Sequence, residues 1–327
     1  MRRFVARHSP LFILAGLCLI LAIVSEDFRQ PRNLQKVAYR TSVVGIMATG
    51  QILVILTAGI DLSVGSIAAL AGVVACVSMK KLGVPAAGEG AELIISGFDV
   101  CAGVAIGALV GLLGGAINGF LVTKGKIPPF IVTLGMMMVA RGIALLVSGA
   151  VSVSGLPESF KYLGGSRGWY IPVGITAAIA AVFAVTLAFT RFGRAVYATG
   201  GKLTAARLSG IAVDRVRFLC YSLCGLLCGF AGVVLASRTA IAQPTGAESY
   251  ELDAIAACVI GGASLMGGEG GCVGALAGAL IMQVLLNFCN LRGFDVYWQK
   301  VLIGALIIIL VYYDNFRKRR AGLLHEA

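Results

Sequence analysis

The residues able to do chemistry in this chain are few, and they sit beside or within long apolar runs. Asp61 stands in Gly59-Ile60-Asp61-Leu62-Ser63-Val64-Gly65-Ser66, immediately before a small-residue apolar stretch. A carboxylate there costs kilocalories to hold in an apolar bundle, so it faces a polar cavity or a partner, or its oxygens are taken up by backbone donors. Two roles follow. Asp61 can accept N–H bonds at the start of the next helix, or it can line or gate a polar path. Ser63, Asn118, Thr133, Ser264 and Asn287 add hydroxyls and amides, as does Gln51. Such groups bond a polar solute, and they equally join helix to helix. Asp61, Ser63, Asn118, Thr133, Ser264 and Asn287 are therefore the candidates for a translocation path. Arg141 falls inside another apolar run after Met136-Met137-Met138, where it pairs with a carboxylate or marks the end of a span.

Other chemistries lack their residues. The two histidines, His8 and His325, lie near the ends of the chain, and there is no H-E-x-x-H motif. Nine cysteines include no C-x-x-C pair, and Cys220, Cys224 and Cys228 recur on one helical face as small membrane residues do. No metal and no cofactor is expected. A phosphate-binding loop is missing: Gly201-Lys202 is followed by Leu203, and the upstream glycine position is Val196. Asp61-Leu62-Ser63-Val64-Gly65 has Asp where a nucleophile elbow has its first glycine, and no base is near. A hydrolase is disfavoured. An ion-coupled carrier or a channel remains a rival, although ion coupling calls for more buried carboxylates than one.

The elements that must position these residues are membrane helices. The 327 residues are 58% hydrophobic and only 13% charged, with mean hydropathy +0.93. Soluble domains carry about 25% charged residues. Ten apolar segments can be drawn, at about 10–26, 40–59, 62–79, 98–122, 128–148, 170–190, 217–236, 252–266, 271–289 and 298–313. The first is read as an uncleaved span, because no small-x-small site follows it. The prediction is an all-α polytopic bundle of about ten spans, forming one transmembrane domain over 1–327. A net charge of +12 on such a chain sets orientation and does not point to nucleic acid. The two strongest basic clusters, in 191–217 and at Arg317-Lys318-Arg319-Arg320, fall on one side, which places both termini in the cytoplasm.

The 191–217 loop is the longest on that side. Thr204 suits a helix cap, 205–208 favour helix, and Gly210 suits a left-handed stop. That suits a short docking helix, with a merely solvated loop as the alternative. Gly103, Gly107, Gly111, Gly115 and Gly119 recur every fourth residue, a stripe that lets another backbone approach closely. The two polar-glycine interruptions, 57–66 and 261–271, are alike and fall at inner ends, as in a transporter whose halves are parallel repeats.

Taken together, Gly59-Ile60-Asp61-Leu62-Ser63-Val64-Gly65-Ser66 and Gly193-Arg194 through Ala205-Ala206-Arg207-Leu208-Ser209-Gly210-Ile211 resemble the ribose-type monosaccharide permeases of bacterial ABC importers. Asn118-Gly119, Lys126-Ile127-Pro128-Pro129-Phe130-Ile131-Val132-Thr133-Leu134-Gly135 and the glycine-rich 259–271 are similar to the same family. The resemblance runs over about residues 10–313. It implies a fold similar to the cobalamin-importer permeases, where the loop between the sixth and seventh spans docks on the ATPase. Gly193, Arg194, Ala205, Ala206, Arg207, Leu208, Ser209 and Gly210 are the matching coupling residues here. It also implies a second permease chain, identical or not, a separate ATP-binding subunit, an extracytoplasmic solute-binding protein and the bacterial inner membrane. The implied mechanism is alternating access, with the solute passing between the two permease chains. Lys202-Leu203-Thr204 departs from the family, which often has Asn and an acidic residue there. Permeases for branched-chain amino acids or nucleosides share the architecture and stay open as alternatives.

Overall fold

The computed structural model describes residues 2–85, 93–165 and 168–320. His325 lies outside the described residues. The chain forms fourteen helices among them: α1 (Arg2–Val24), α2 (Glu26–Arg29), α3 (Pro31–Leu56), α4 (Val64–Leu82), α5 (Gly97–Thr123), α6 (Pro129–Ser148), α7 (Glu158–Lys161), α8 (Tyr170–Phe189), α9 (Arg191–Gly201), α10 (Leu203–Leu208), α11 (Val213–Ser237), α12 (Tyr250–Ile260), α13 (Cys272–Leu291) and α14 (Val296–Arg320). One two-residue β pairing joins Val84–Pro85 to Leu93–Ile94 between α4 and α5.

Local sequence explains the boundaries. Ser96 and Asp99 form a capping box at the start of α5, each side chain meeting the other's backbone N–H. Pro128-Pro129 opens α6, and Gly149 closes it in the left-handed region at φ 65°. Seven helices, α3, α4, α5, α6, α8, α11 and α13, are long and apolar enough to cross a membrane, so the protein is an all-α polytopic bundle. The other three apolar segments of the sequence correspond to α1, α12 and α14.

The expected span at 252–266 is corrected. Its helix, α12, has 11 residues and stops at Gly261. At 1.5 Å per residue that is about 16 Å, roughly half the apolar thickness of a bilayer. The preceding segment, 238–249, therefore leaves the far end of α11 and runs into the bundle before α12 begins. Non-helical backbone at such depth is tolerated only where protein or a cavity surrounds it.

α3 is the axis of the bundle: every residue from 41 to 56 is buried. α5 is the opposite case, buried on one narrow face. Gly103, Gly107, Gly111, Gly115 and Gly119 are buried, while Leu109, Leu113, Ile117 and Phe120 are exposed. A Cβ built at Gly111 would lie 2.6 Å from Gly229 Cα, and one at Gly115 2.9 Å from Gly225 Cα. The stripe read from the sequence is thus the seam between α5 and α11. Cys220, Cys224 and Cys228 lie buried on α11 as free thiols.

Candidate coupling surface and interior polar cluster

Residues 191–208 are helical almost throughout, where the sequence suggests a loop with one short helix. Thr190 caps α9, its Oγ1 accepting the Gly193 N–H at 3.1 Å. α10 begins one residue before the expected cap: Lys202 is the N-cap, without a side-chain bond, and Thr204 is inside the helix. A two-helix corner at Lys202, with an extended backbone, already turns the chain and leaves Thr204 no free N–H to cap. The stop is as read from sequence. Gly210 takes φ +79°, and the Ile211 N–H closes back on the Ala206 carbonyl at 3.1 Å.

Gly193 and Ala206 face inward and are buried, whereas Arg194, Ala205, Arg207, Ser209 and Gly210 are exposed. Leu208 is 87% exposed, an apolar side chain at the tip of α10. Behind it, Arg207 lies 3.7 Å from Asp214 at the start of α11, and Lys126 lies 3.1 Å from the same carboxylate. These exposed pairs contribute little stability, but they tie α10 to the first turn of α11 and to the α5–α6 turn.

α9 is anchored to the interior by the carbonyl end of α3. The Gly268 N–H donates to the Leu56 carbonyl at 3.0 Å. Gly200 of α9 presses on that same carbonyl, with no room for a Cβ. Arg217 of α11 donates to the Thr57 carbonyl at 3.1 Å, a cation at a helix C-terminus. The Tyr197 hydroxyl reaches the Gly270 carbonyl at 2.9 Å. The two polar-glycine interruptions therefore meet at one point, with α9 wedged against both. Ala58, a non-glycine residue at φ 58°, marks strain in the first of them.

Past that junction the chain turns back into the bundle, and four of the predicted polar residues converge. Asp61 is fully buried. Its Oδ1 accepts from the Ser63 N–H at 2.8 Å and the Ser63 hydroxyl at 2.5 Å. The Asn118 amide donates to Ser63 Oγ at 2.8 Å and more weakly to Asp61 Oδ2 at 3.5 Å. The Thr133 hydroxyl meets the Ile60 carbonyl at 3.4 Å. With its amide oriented to satisfy both groups, Gln51 donates to the Asp61 carbonyl at 3.3 Å and accepts from the Asp61 N–H at 3.2 Å. Asp61 is not the N-cap of α4, because that position is Ser63. The carboxylate instead closes a turn one step earlier. Chemically the cluster pins the α3–α4 turn to α5 and α6.

Ser264 and Asn287 do not join it. Ser264 Oγ accepts the Met266 N–H at 3.1 Å within the second interruption. Asn287 pairs reciprocally with Asn33, at 2.9 and 2.8 Å, and links α13 to α3 near the other end of the bundle. Arg141 lies inside α6 and does not mark its end, and it interacts electrostatically with Glu251 and Glu248. From within α6 it donates to the carbonyls of Pro244 and Gly246 at 2.6 and 2.9 Å, holding the inward-running segment in place. Sequence reasoning passed over Arg217 and Tyr197, whose partners are backbone carbonyls 160 and 73 residues away. Carbonyl acceptors leave no signature in residue type.

The family described as branched-chain amino acid transport system / permease component matches residues 33–311. The chain is 43% identical to the ribose import permease protein RbsC of Bacillus subtilis (strain 168), over 96% of this chain and 93% of that protein. It is 40% identical to the ribose import permease protein RbsC of Escherichia coli (strain K12), over 96% and 95%. It is 34% identical to the L-arabinose ABC transporter permease protein AraH of Azospirillum brasilense, over 97% and 90%. No solved structure matches the chain. With a match across most of its length and relatives this similar from end to end, the chain belongs to the family of branched-chain amino acid transport system permease components.

Proposed function

We propose that this chain is the membrane-spanning permease subunit of an ABC importer that takes up a monosaccharide, ribose-like, or a similar small polar solute. It works as a single transmembrane domain in the bacterial inner membrane, with α9–α10 and both termini facing the cytoplasm. A separate ATP-binding subunit supplies the energy, an extracytoplasmic solute-binding protein delivers the solute, and a second permease chain completes the path. The family description names branched-chain amino acids. The ribose and arabinose permeases that match from end to end favour a sugar.

One observation carries the reading: Leu208, 87% exposed, on a short helix whose other side is braced by buried Ala206 and by α9. An exposed leucine on a mobile loop costs nothing to move aside. On a braced helix it is a knob, supplying contact area to a groove while Arg207 supplies orientation. A push on α10 passes to α9, from Gly200 to the carbonyl end of α3, and from there to the Asp61 turn. Asp61, Ser63, Asn118 and Thr133 then hold the α3–α4 turn stiff, so that displacement at the ATPase becomes tilt of the central helix rather than local bending.

The test is Leu208→Asp in the assembled importer. Insertion, abundance and permease dimerisation should match wild type, while uptake and solute-stimulated ATP hydrolysis are lost. Arg207→Ala should weaken association with the ATPase in a salt-dependent way. Normal uptake by Leu208→Asp at normal abundance would remove the docking role.

A further inference from the structure

We propose that the recess between the inward-running segment 238–249 and the α4–α11 pair is a holding site for a neutral, polyhydroxylated solute inside each permease chain. This rests on the importer reading and names where, within that importer, the solute first pauses.

The recess has a volume of about 330 Å³ and lies at the end of α11 remote from α9–α10. That is the lower range for small-ligand pockets, and it suits a single sugar ring. It exists because α12 is a half-length helix. Segment 238–249 descends where a full span would have filled the space, and Arg141 fixes its depth through the Pro244 and Gly246 carbonyls. Two residues before Pro244, Val153 and Ala242 exchange both backbone bonds at 2.9 Å, a second tie on the middle of the segment. Non-helical backbone beside a cavity is an arrangement that transporters use to bind their cargo.

The lining chemistry selects the class. Gln243 and Thr239 are exposed to the recess and present an amide and a hydroxyl, and Tyr250 adds a phenol at the head of α12. These donate and accept, as ring hydroxyls require. The opposite wall is Ala68, Ala69, Gly72, Gly232 and Ala236, a smooth apolar surface for the C–H face of a ring. The charged group in the lining, Arg238, has its guanidinium carbon 4.5 Å from the Tyr39 ring centroid and is engaged there. Stacking leaves the Arg238 charge and its N–H donors in place, and no carboxylate lines the recess, so a cationic solute is disfavoured while a neutral polyol finds donors and acceptors in Arg238, Gln243, Thr239 and Tyr250. A second, more open recess, lined in part by Gln35, Tyr39 and Trp169, shares Arg238 with the first and lies beside it.

Gln243→Cys, in cells that carry the permease and ATPase but lack the solute-binding protein, tests the assignment without masking by docking. A membrane-impermeant methanethiosulfonate should label the new thiol above the wild-type background. High D-ribose, L-arabinose or D-xylose should abolish that labelling in a saturable way, with Thr239→Cys behaving alike. Val84→Cys, at a 65% exposed position in the β pairing between α4 and α5, serves as the control that no sugar protects. Uptake of the same three sugars is measured in parallel in the complete importer. If a sugar is taken up but none slows labelling at Gln243→Cys or Thr239→Cys, or if neither thiol is reached, the holding site is wrong and the importer reading stands. If the complete importer takes up none of them, the monosaccharide reading fails and the site falls with it.

Discussion

The α5–α11 seam permits a stability experiment in which one contribution can be isolated. Gly111→Ala places a Cβ 2.6 Å from Gly229 Cα and 2.8 Å from its nitrogen. Relaxed carbon contacts sit at about 3.5–4.0 Å, so the two helices must separate by about 1 Å at their closest approach. Overpacking of that kind costs about 1–3 kcal/mol. The same substitution gains about 0.5–1 kcal/mol, because alanine restricts the unfolded chain and favours helix. Gly142, inside α6, has nothing within 4 Å of the place a methyl group would take, so Gly142→Ala collects the gain alone. The propensity gain is common to both, and the difference between the two variants is the clash itself, about 1–3 kcal/mol. For a chain of this size that separates their Tm values by several degrees. Heating the detergent-purified protein in steps and measuring the surviving monodisperse fraction by size-exclusion chromatography reads the difference. Gly142→Ala should match or exceed wild type and Gly111→Ala should fall below both. Equal Tm values for the two variants would refute the idea that the stripe is a close backbone seam.

Two further outcomes follow from the same geometry. Asn287→Leu leaves the buried amide of Asn33 without its reciprocal partner and should cost about 1–2 kcal/mol. Asn33→Leu combined with Asn287→Leu should cost less than the sum of the single changes, and strict additivity in the same thermal assay would show that the pair does not interact. For orientation, a cysteine at Thr204 should resist impermeant thiol reagents in intact cells and react after the membrane is opened, since α10 is assigned to the cytoplasm. Labelling from outside would invert the topology.

Much of this protein is written in residue type and spacing. Apolar runs of spanning length demand helices in lipid, because no water is available to satisfy an open backbone. The fourfold glycine period identifies a helix face without side chains, and such a face is useful only against another backbone. Gly210, with its freedom at positive φ, ends α10 where the sequence indicates. The motif around Asp61 and the run 193–210 sufficed to indicate the family. What tertiary structure decided is which distant groups meet. Asn33 and Asn287 are separated by 254 residues. Their pairing depends on how α3 and α13 are rotated about their own axes, which no local pattern records. The half-length of α12 was hidden because Ala263, Leu265 and Met266 are apolar, and hydropathy cannot tell a helix from a turn packed in protein. The junction of Leu56, Gly200, Gly268 and Arg217 uses backbone atoms that every residue carries. The recess beside 238–249 is a space, and a space belongs to no residue until the helices around it are in place.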